Sequence, residues 1–411
     1  MKTTHKGRRV LFGVCLLLLM AVFIELVLQA VSRTNTTLER MLGKPWEVDS
    51  QAKVLPDEVL GFRPNPSFAE HDENGFRNPS LPLSAALVAL GDSQTYGTGV
   101  SPEQTWPRQL ESVSGKRIYS LAFGGYGPVH SLGLWDMGAK LKPRVVVEAF
   151  YSGNDLFDAY DIVYGRNQFT ALRSRDGDVL DSISALNTAQ PLSDQVEREL
   201  GKWEEPKVAG TPSAWRDRIS THSRIYGLLR RTRYELRAFL REQRDPWQRA
   251  LELVSRNPQS FVVIDVAERQ TVLTPAYRQN ALDLDDPRIA EGLRICLESL
   301  RLLRDRSEEI GARFVVLLIP TKELVMEEFC REQSLGLSNE ELVQLWSNER
   351  MMWEQAKAFL EDNEIDFADA LPWLRLRLIQ GQQPYQRNHD GHPNAVGYRA
   401  IAEGLKEYLK W

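Results

Sequence analysis

Three short apolar runs limit what this chain can fold into: "AALVAL" at 85–90, "RVVVEAF" at 144–150 and "ARFVVLLIP" at 312–320. None alternates polar with apolar, so each predicts a strand covered on both faces. Around them the pattern turns helical. Gln104–Val113 and Val129–Lys140 read as helices flanking a further strand at Arg117–Leu121. Pro287–Ile310 reads as a long helix, with proline at its start, Gly311 just past its end, and Ile289, Leu293, Leu297, Leu300 and Leu303 on one face. A helix at 339–362, a short strand "EIDFADA" and a C-terminal helix "AVGYRAIAEGLKEYL" complete the series. Strands alternating with helices predict an α/β domain with a parallel sheet. It spans 85–411 and is interrupted after its third strand by an insertion at 156–286.

What precedes the domain predicts where it works. Residues 1–9 carry Lys2, Lys6, Arg8 and Arg9, and the apolar run 10–31 follows. That run is long enough to cross a hydrocarbon core of about 30 Å as a transmembrane helix. Positive charge before it puts the N-terminus in the cytoplasm and the rest of the chain on the exported, periplasmic or extracytoplasmic side. A cleaved signal peptide, with "LQA" at 28–30 as its cleavage site, exports the remainder equally. Glu25 and Gln29 interrupt the far end of the run, a position suited to the interface. Residues 32–84 read as a polar, proline-rich neck.

A net charge of −5 offers no reason to expect a nucleic-acid partner. Cys15, Cys296 and Cys330 are too few and too scattered for a zinc site, and allow at most a Cys296–Cys330 bridge that nothing in the sequence brings together. No metal or cofactor is expected. Within the insertion, "SRIYGLLRRTRYELRAFLREQRDPWQRALELV" is either a solvated basic face or a surface for anionic lipid or an acidic polymer.

The strand at 85–90 runs straight into Gly91-Asp92-Ser93. Such a turn either lifts the Ser93 hydroxyl above the sheet edge as a nucleophile or uses it as a helix N-cap. A serine nucleophile needs a base. Of the six histidines, His5 lies in the cytoplasmic N-terminus and His71 in the neck, and His130 and His222 lack an acidic neighbour of useful spacing, leaving "RNHDGHPNAVGY" with His389 and His392. Asp390 and His392 are two apart, so in an extended segment both side chains point one way and the carboxylate can orient the ring. The alternative is an Asp390-Gly391 turn with His392 as a cap. Donors for an oxyanion are offered by "LAFGGYGP" (121–128), through backbone N–H groups, and by "FYSGNDLFD" (150–158), through the Asn154 amide. Lys322 in "IPTKE" (319–323) reads as a solvent-facing lysine after a strand in preference to a substrate contact.

Gly91-Asp92-Ser93, "GGYG", Gly153-Asn154-Asp155 and "DGHPN" stand in the order of the blocks of the SGNH (GDSL-type) hydrolase family, which they resemble over residues 85–155 and 385–411. The resemblance implies a flavodoxin-like three-layer α/β/α sandwich and activity on ester bonds of lipids, acyl-sugars or polysaccharides. It implies Ser93 as nucleophile, His392 as base, Asp390 as its orienter, and an oxyanion hole from the N–H groups of Ser93 and Gly125 with the Asn154 amide. Two positions depart from the family pattern. Ser152 stands where a glycine is usual, and the Asp–His spacing is D-x-H instead of D-x-x-H. The shorter spacing and "IPTKE" resemble the membrane-tethered and exopolysaccharide O-acetyltransferase branches. The expected activity is therefore an esterase on O-acetyl or O-acyl groups of an envelope or extracellular glycan. The alternatives are an O-acetyltransferase for a cell-surface polysaccharide, working with assembly partners, or a catalytically silent glycan-binding module.

Overall fold

The structure, a computed structural model, describes residues 5–34, 53–202, 223–226, 232, 245–266 and 269–411. They belong to two compact units, one made of residues 1–53 and 206–245, the other of 54–205 and 246–411.

The described part of the first unit is chiefly one helix, His5–Thr34. Its stretch Phe12–Val31 is long and apolar enough to cross a membrane, by length and composition. The Glu25 carboxylate, the one acid in this run, accepts from Ser223 Oγ at 3.0 Å, Arg224 N at 2.6 Å and Ile225 N at 2.9 Å. Most of the arginine-rich stretch of the insertion lies outside the described residues.

In the second unit the strands are, in chain order, β1 (Val54–Asp57), β2 (Gly61–Pro64), β3 (Leu87–Gly91), β4 (Ile118–Ala122), β5 (Val145–Tyr151), β6 (Val262–Val266), β7 (Arg269–Leu273), β8 (Arg313–Ile319) and β9 (Phe367–Asp369). Five of them form the central sheet in the order β4-β3-β5-β8-β9. Every neighbouring pair in it is parallel. β3, β4 and β5 are buried along their whole length, as continuous apolar runs require.

That order reverses direction once. The chain steps one way from β3 to β4, then the other way to β5, β8 and β9. Right-handed crossovers therefore put the first connecting helix on one face and the later ones on the other. The helix Trp106–Ser114 accordingly packs with the C-terminal helix Ala395–Leu409, while Pro287–Glu309 packs with Pro128–Ala139 and Asp155–Tyr160. The reversal also leaves a crevice at the C-terminal ends of β3, β4 and β5, the usual place for a ligand in such sheets.

Two antiparallel hairpins flank the sheet, β1–β2 ahead of it and β6–β7 from the insertion. From Val54 onward, the segment read as a neck belongs to the same compact unit as the sheet. Buried Arg77 donates to the carbonyls of Tyr96, Gly97 and Val100, and Asn78 exchanges hydrogen bonds with the Ser120 backbone in β4. Cys296 and Cys330 are buried free thiols, so they are not bridged.

Candidate active site

β3 ends at Gly91, whose φ of +138° suits only glycine, and where an added Cβ would lie 3.1 Å from the Ala149 carbonyl oxygen. The next residue, Asp92, caps the short helix Ser93–Tyr96: its Oδ1 accepts from Gln94 N at 2.8 Å. The capping task that Ser93 was one candidate for thus falls to its neighbour. Ser93 Oγ is left to face His392 Nε2 at 2.8 Å, with Asp92 Oδ2 further off at 3.2 Å. Burial pushes the Asp92 carboxyl up to about 6, against the pull of Gln94 N–H and His392.

His392 comes from the loop before the C-terminal helix. Asp390 Oδ1 accepts both the His392 backbone N–H at 3.0 Å and ring Nδ1 at 2.5 Å. Burial opposes ionisation of Asp390. The hydrogen bonds from the His392 ring and backbone, with the Lys322 charge, outweigh it and bring the carboxyl down to about 2. An ionised carboxylate only accepts, so Nδ1 carries the ring proton and Nε2 presents a lone pair to the Ser93 hydroxyl. Serine, imidazole and carboxylate, separated by nearly three hundred residues of chain, meet in one hydrogen-bonded line. That line can draw the hydroxyl proton onto the imidazole as oxygen attacks an electrophile.

The two donor segments stand at the neighbouring strand ends. After β4, Gly124 passes beside the serine: a Cβ added there would lie 3.8 Å from Ser93 Cβ. Gly125 has φ +77° and is covered by the Phe62 ring of the β1–β2 hairpin, 3.3 Å from where a Cβ would stand. After β5, Asn154 is the first residue of the turn into Asp155–Tyr160, and its amide nitrogen donates to Asp158 Oδ2 at 2.5 Å. An amide nitrogen has two hydrogens, so one remains for another acceptor. Burial pushes the Asp158 carboxyl up to about 8.

Ser152 has a structural role at the end of β5. Its hydroxyl donates to buried Glu349 at 2.7 Å, and the same carboxylate accepts from Thr321 N at 2.8 Å and from Thr321 Oγ1.

Lys322, which the sequence marked as solvent-facing, and Arg278, which it did not mark, stand behind the acid–base loop. Lys322 is not solvent-facing. It is fully buried and bonded to backbone carbonyls, because the strand it follows ends beneath the insertion hairpin. Arg278, from the insertion helix Pro275–Leu282, donates through Nη1 to Gly153 O at 2.9 Å. Its Nη2 lies 2.4 Å from where a Cβ on Gly391 would stand. Glycine between Asp390 and His392 therefore makes room for a guanidinium, and the only signal of this in the sequence is the glycine itself. Among the described residues, no group of three or more His, Cys, Asp or Glu side chains is placed to hold a metal ion.

No protein-family model matches the chain. No curated protein matches it in sequence. Among solved structures, Axe2, an acetylxylan esterase from Geobacillus stearothermophilus, is 10% identical over 80% of this chain and 96% of its own, with a TM-score of 0.35. LAE5, an α/β hydrolase enzyme from the metagenome of Lake Arreo, Spain, is 11% identical over 80% of this chain and 97% of its own, with a TM-score of 0.33. A protein of the G-D-S-L lipolytic family from Desulfitobacterium hafniense is 9% identical over 78% and 97%, again with a TM-score of 0.33. Likeness this distant carries no chemistry from those proteins to this one.

Proposed function

We propose that the protein is a serine esterase of the SGNH type that removes O-acyl groups, chiefly acetyl, from an envelope or extracellular glycan. In this reading the helix within residues 5–34 anchors it in a membrane, and the α/β domain stands on the exported side. The observation that carries the reading is the line from Ser93 Oγ through His392 to Asp390, at 2.8 Å and 2.5 Å.

Ser93 Oγ attacks the ester carbonyl as His392 Nε2 takes its proton, and Asp390 steadies the imidazolium that forms. The tetrahedral oxyanion is met by the N–H groups of Ser93 and Gly125 and by the free hydrogen of the Asn154 amide. His392 then protonates the leaving sugar oxygen, giving an acyl-enzyme and a free hydroxyl. Water, deprotonated by the same imidazole, adds to the acyl carbon and releases the acid and Ser93. Ser93 and His392 are both partly exposed, which favours water as the acceptor over a shielded second sugar.

The test is covalent labelling with an active-site fluorophosphonate, together with release of p-nitrophenol from its acetate ester. Wild type is expected to label and turn over, and Ser93→Ala to do neither. A wild-type protein inert in both assays would leave a silent glycan-binding module as the better account.

A further inference from the structure

A lysine is an unusual side chain to bury completely, and Lys322 at the end of β8 has no exposed surface. Its ammonium donates to three backbone carbonyls: Val272 O at 2.6 Å, Asp390 O at 3.0 Å and Asn388 O at 3.2 Å. An ammonium has three donors and no acceptor, so this set of carbonyls uses it fully. Two of the three belong to the loop that carries Asp390. The third is in β7, which grips the same loop through Val272 N to Asn388 O at 3.1 Å and Thr271 Oγ1 to Gln386 O at 3.2 Å. Sheet edge, insertion hairpin and acid–base loop therefore meet at one nitrogen.

We propose that Lys322 is a positioning residue, whose charged ammonium fixes the 388–390 backbone and thereby holds Asp390 and the His392 ring in line with Ser93. The inference rests on the Ser93–His392–Asp390 reading of the site. It makes the line dependent on the lysine's proton. The charged and titratable groups facing Lys322 are Glu323 beside it, Arg278 from the insertion helix, and Asp390 and His389 from the loop. Burial outweighs the two carboxylates and, with Arg278, lowers the ammonium to about 8. His389, buried beside the lysine, is lowered to about 4 and stays neutral across this range. Above about pH 8 the neutral amine keeps two donors for three buried carbonyls, and one of them loses its bond.

The Nδ1 proton between His392 and Asp390 reports this directly. In the full chain in detergent micelles it is expected as a far-downfield proton resonance, assigned by its loss in His392→Ala. In wild type the resonance should hold at pH 7 and fade with a midpoint of about 8. In Lys322→Met it should be displaced or absent throughout. Turnover of p-nitrophenyl acetate should fall by about tenfold to a hundredfold in kcat, with KM within about twofold and the alkaline decline near pH 8 gone. An unchanged resonance and pH profile in Lys322→Met overturns the proposal. Should that variant not fold, the wild-type titration decides alone, and a resonance with no transition between pH 7 and 9 overturns it. A resonance that depends on Lys322 in a protein without Ser93-dependent turnover upholds the positioning role and sinks the esterase reading instead.

Discussion

Gly292 lies inside the helix Pro287–Glu309, in its second turn, where alanine is ordinarily preferred to glycine by about 1 kcal/mol. Here the preference should reverse. A Cβ added at Gly292 would stand 2.1 Å from the Leu156 carbonyl oxygen and 2.8 Å from its carbon. A carbon–oxygen contact needs about 3.3 Å, so the two helices must part by roughly 1 Å. The obstacle is backbone, which cannot swing aside, so the overpacking cost belongs near the top of the usual range of about 1–3 kcal/mol. The net expectation for Gly292→Ala is a loss of about 1–2 kcal/mol, or a few degrees in Tm. The displacement also reaches the site, because the helix it pushes begins just after Asn154. A shift of about 1 Å there lowers kcat by tenfold or more. Thermal unfolding followed by tryptophan fluorescence, alongside p-nitrophenyl acetate turnover, reads both effects. Gly177→Ala, at a helical glycine with nothing within 4 Å of the added methyl, is the control and should be neutral or slightly stabilising. A Gly292→Ala protein with raised Tm and intact kcat would refute the reasoning.

Two further outcomes follow from the same geometry. Asp390→Ala should lower kcat by less than Ser93→Ala or His392→Ala, leaving about tenfold or more residual activity above either; steady-state kinetics with full activity in Asp390→Ala would remove its assigned role. Glu148, wholly buried in β5, has its carboxyl pushed up to about 8 by burial. The folded chain therefore holds a proton there that the unfolded chain releases near its ordinary 4.5, and stability falls as pH rises between those values, by up to about 1.4 kcal/mol per unit. Glu148→Gln should flatten that decline in urea titrations across pH 5 to 8; an unchanged slope would show that the group is not protonated in the folded state.

The elements that place the site were legible because their signals are local. The apolar run at 144–150 became β5 within one residue, and "ARFVVLLIP" became β8 (Arg313–Ile319), since a strand covered on both faces needs nothing but continuous apolar character. The long helix was readable from its proline and its apolar stripe, and runs Pro287–Glu309. Ser93 and His392 were legible as types in a pattern, but their distance apart was not. Only the sheet order, which no local signal carries, brings them to 2.8 Å. Lys322 was misjudged for the same reason. The residues that bury it, in β7 and the 388–390 loop, lie about fifty and seventy residues away. Glu349, which accounts for the serine at 152, sits in the helix Glu340–Asp362 and left no mark on the "YSGND" stretch.

The short Asp–Gly–His spacing and the insertion explain one another. Asp390 grips both the backbone and the ring of His392, so the pair is rigid within itself, and what remains to be fixed is how the loop lies against the sheet. Lys322 fixes it from below, and Arg278 occupies the space that a side chain at 391 would fill, while bonding to Gly153 O beside Asn154. One guanidinium thus lies against the acid–base loop while bonding to the strand end that carries a proposed oxyanion donor. The insertion is then part of the framework of the reaction and not merely a wall that selects substrates. The two roles separate in Arg278→Met. A framework role predicts that kcat falls for acetate and butyrate p-nitrophenyl esters in the same proportion, because alignment is lost before the acyl chain is read. A wall that selects substrates predicts a changed acetate-to-butyrate ratio with acetate turnover intact, and that result would assign the insertion to substrate selection alone.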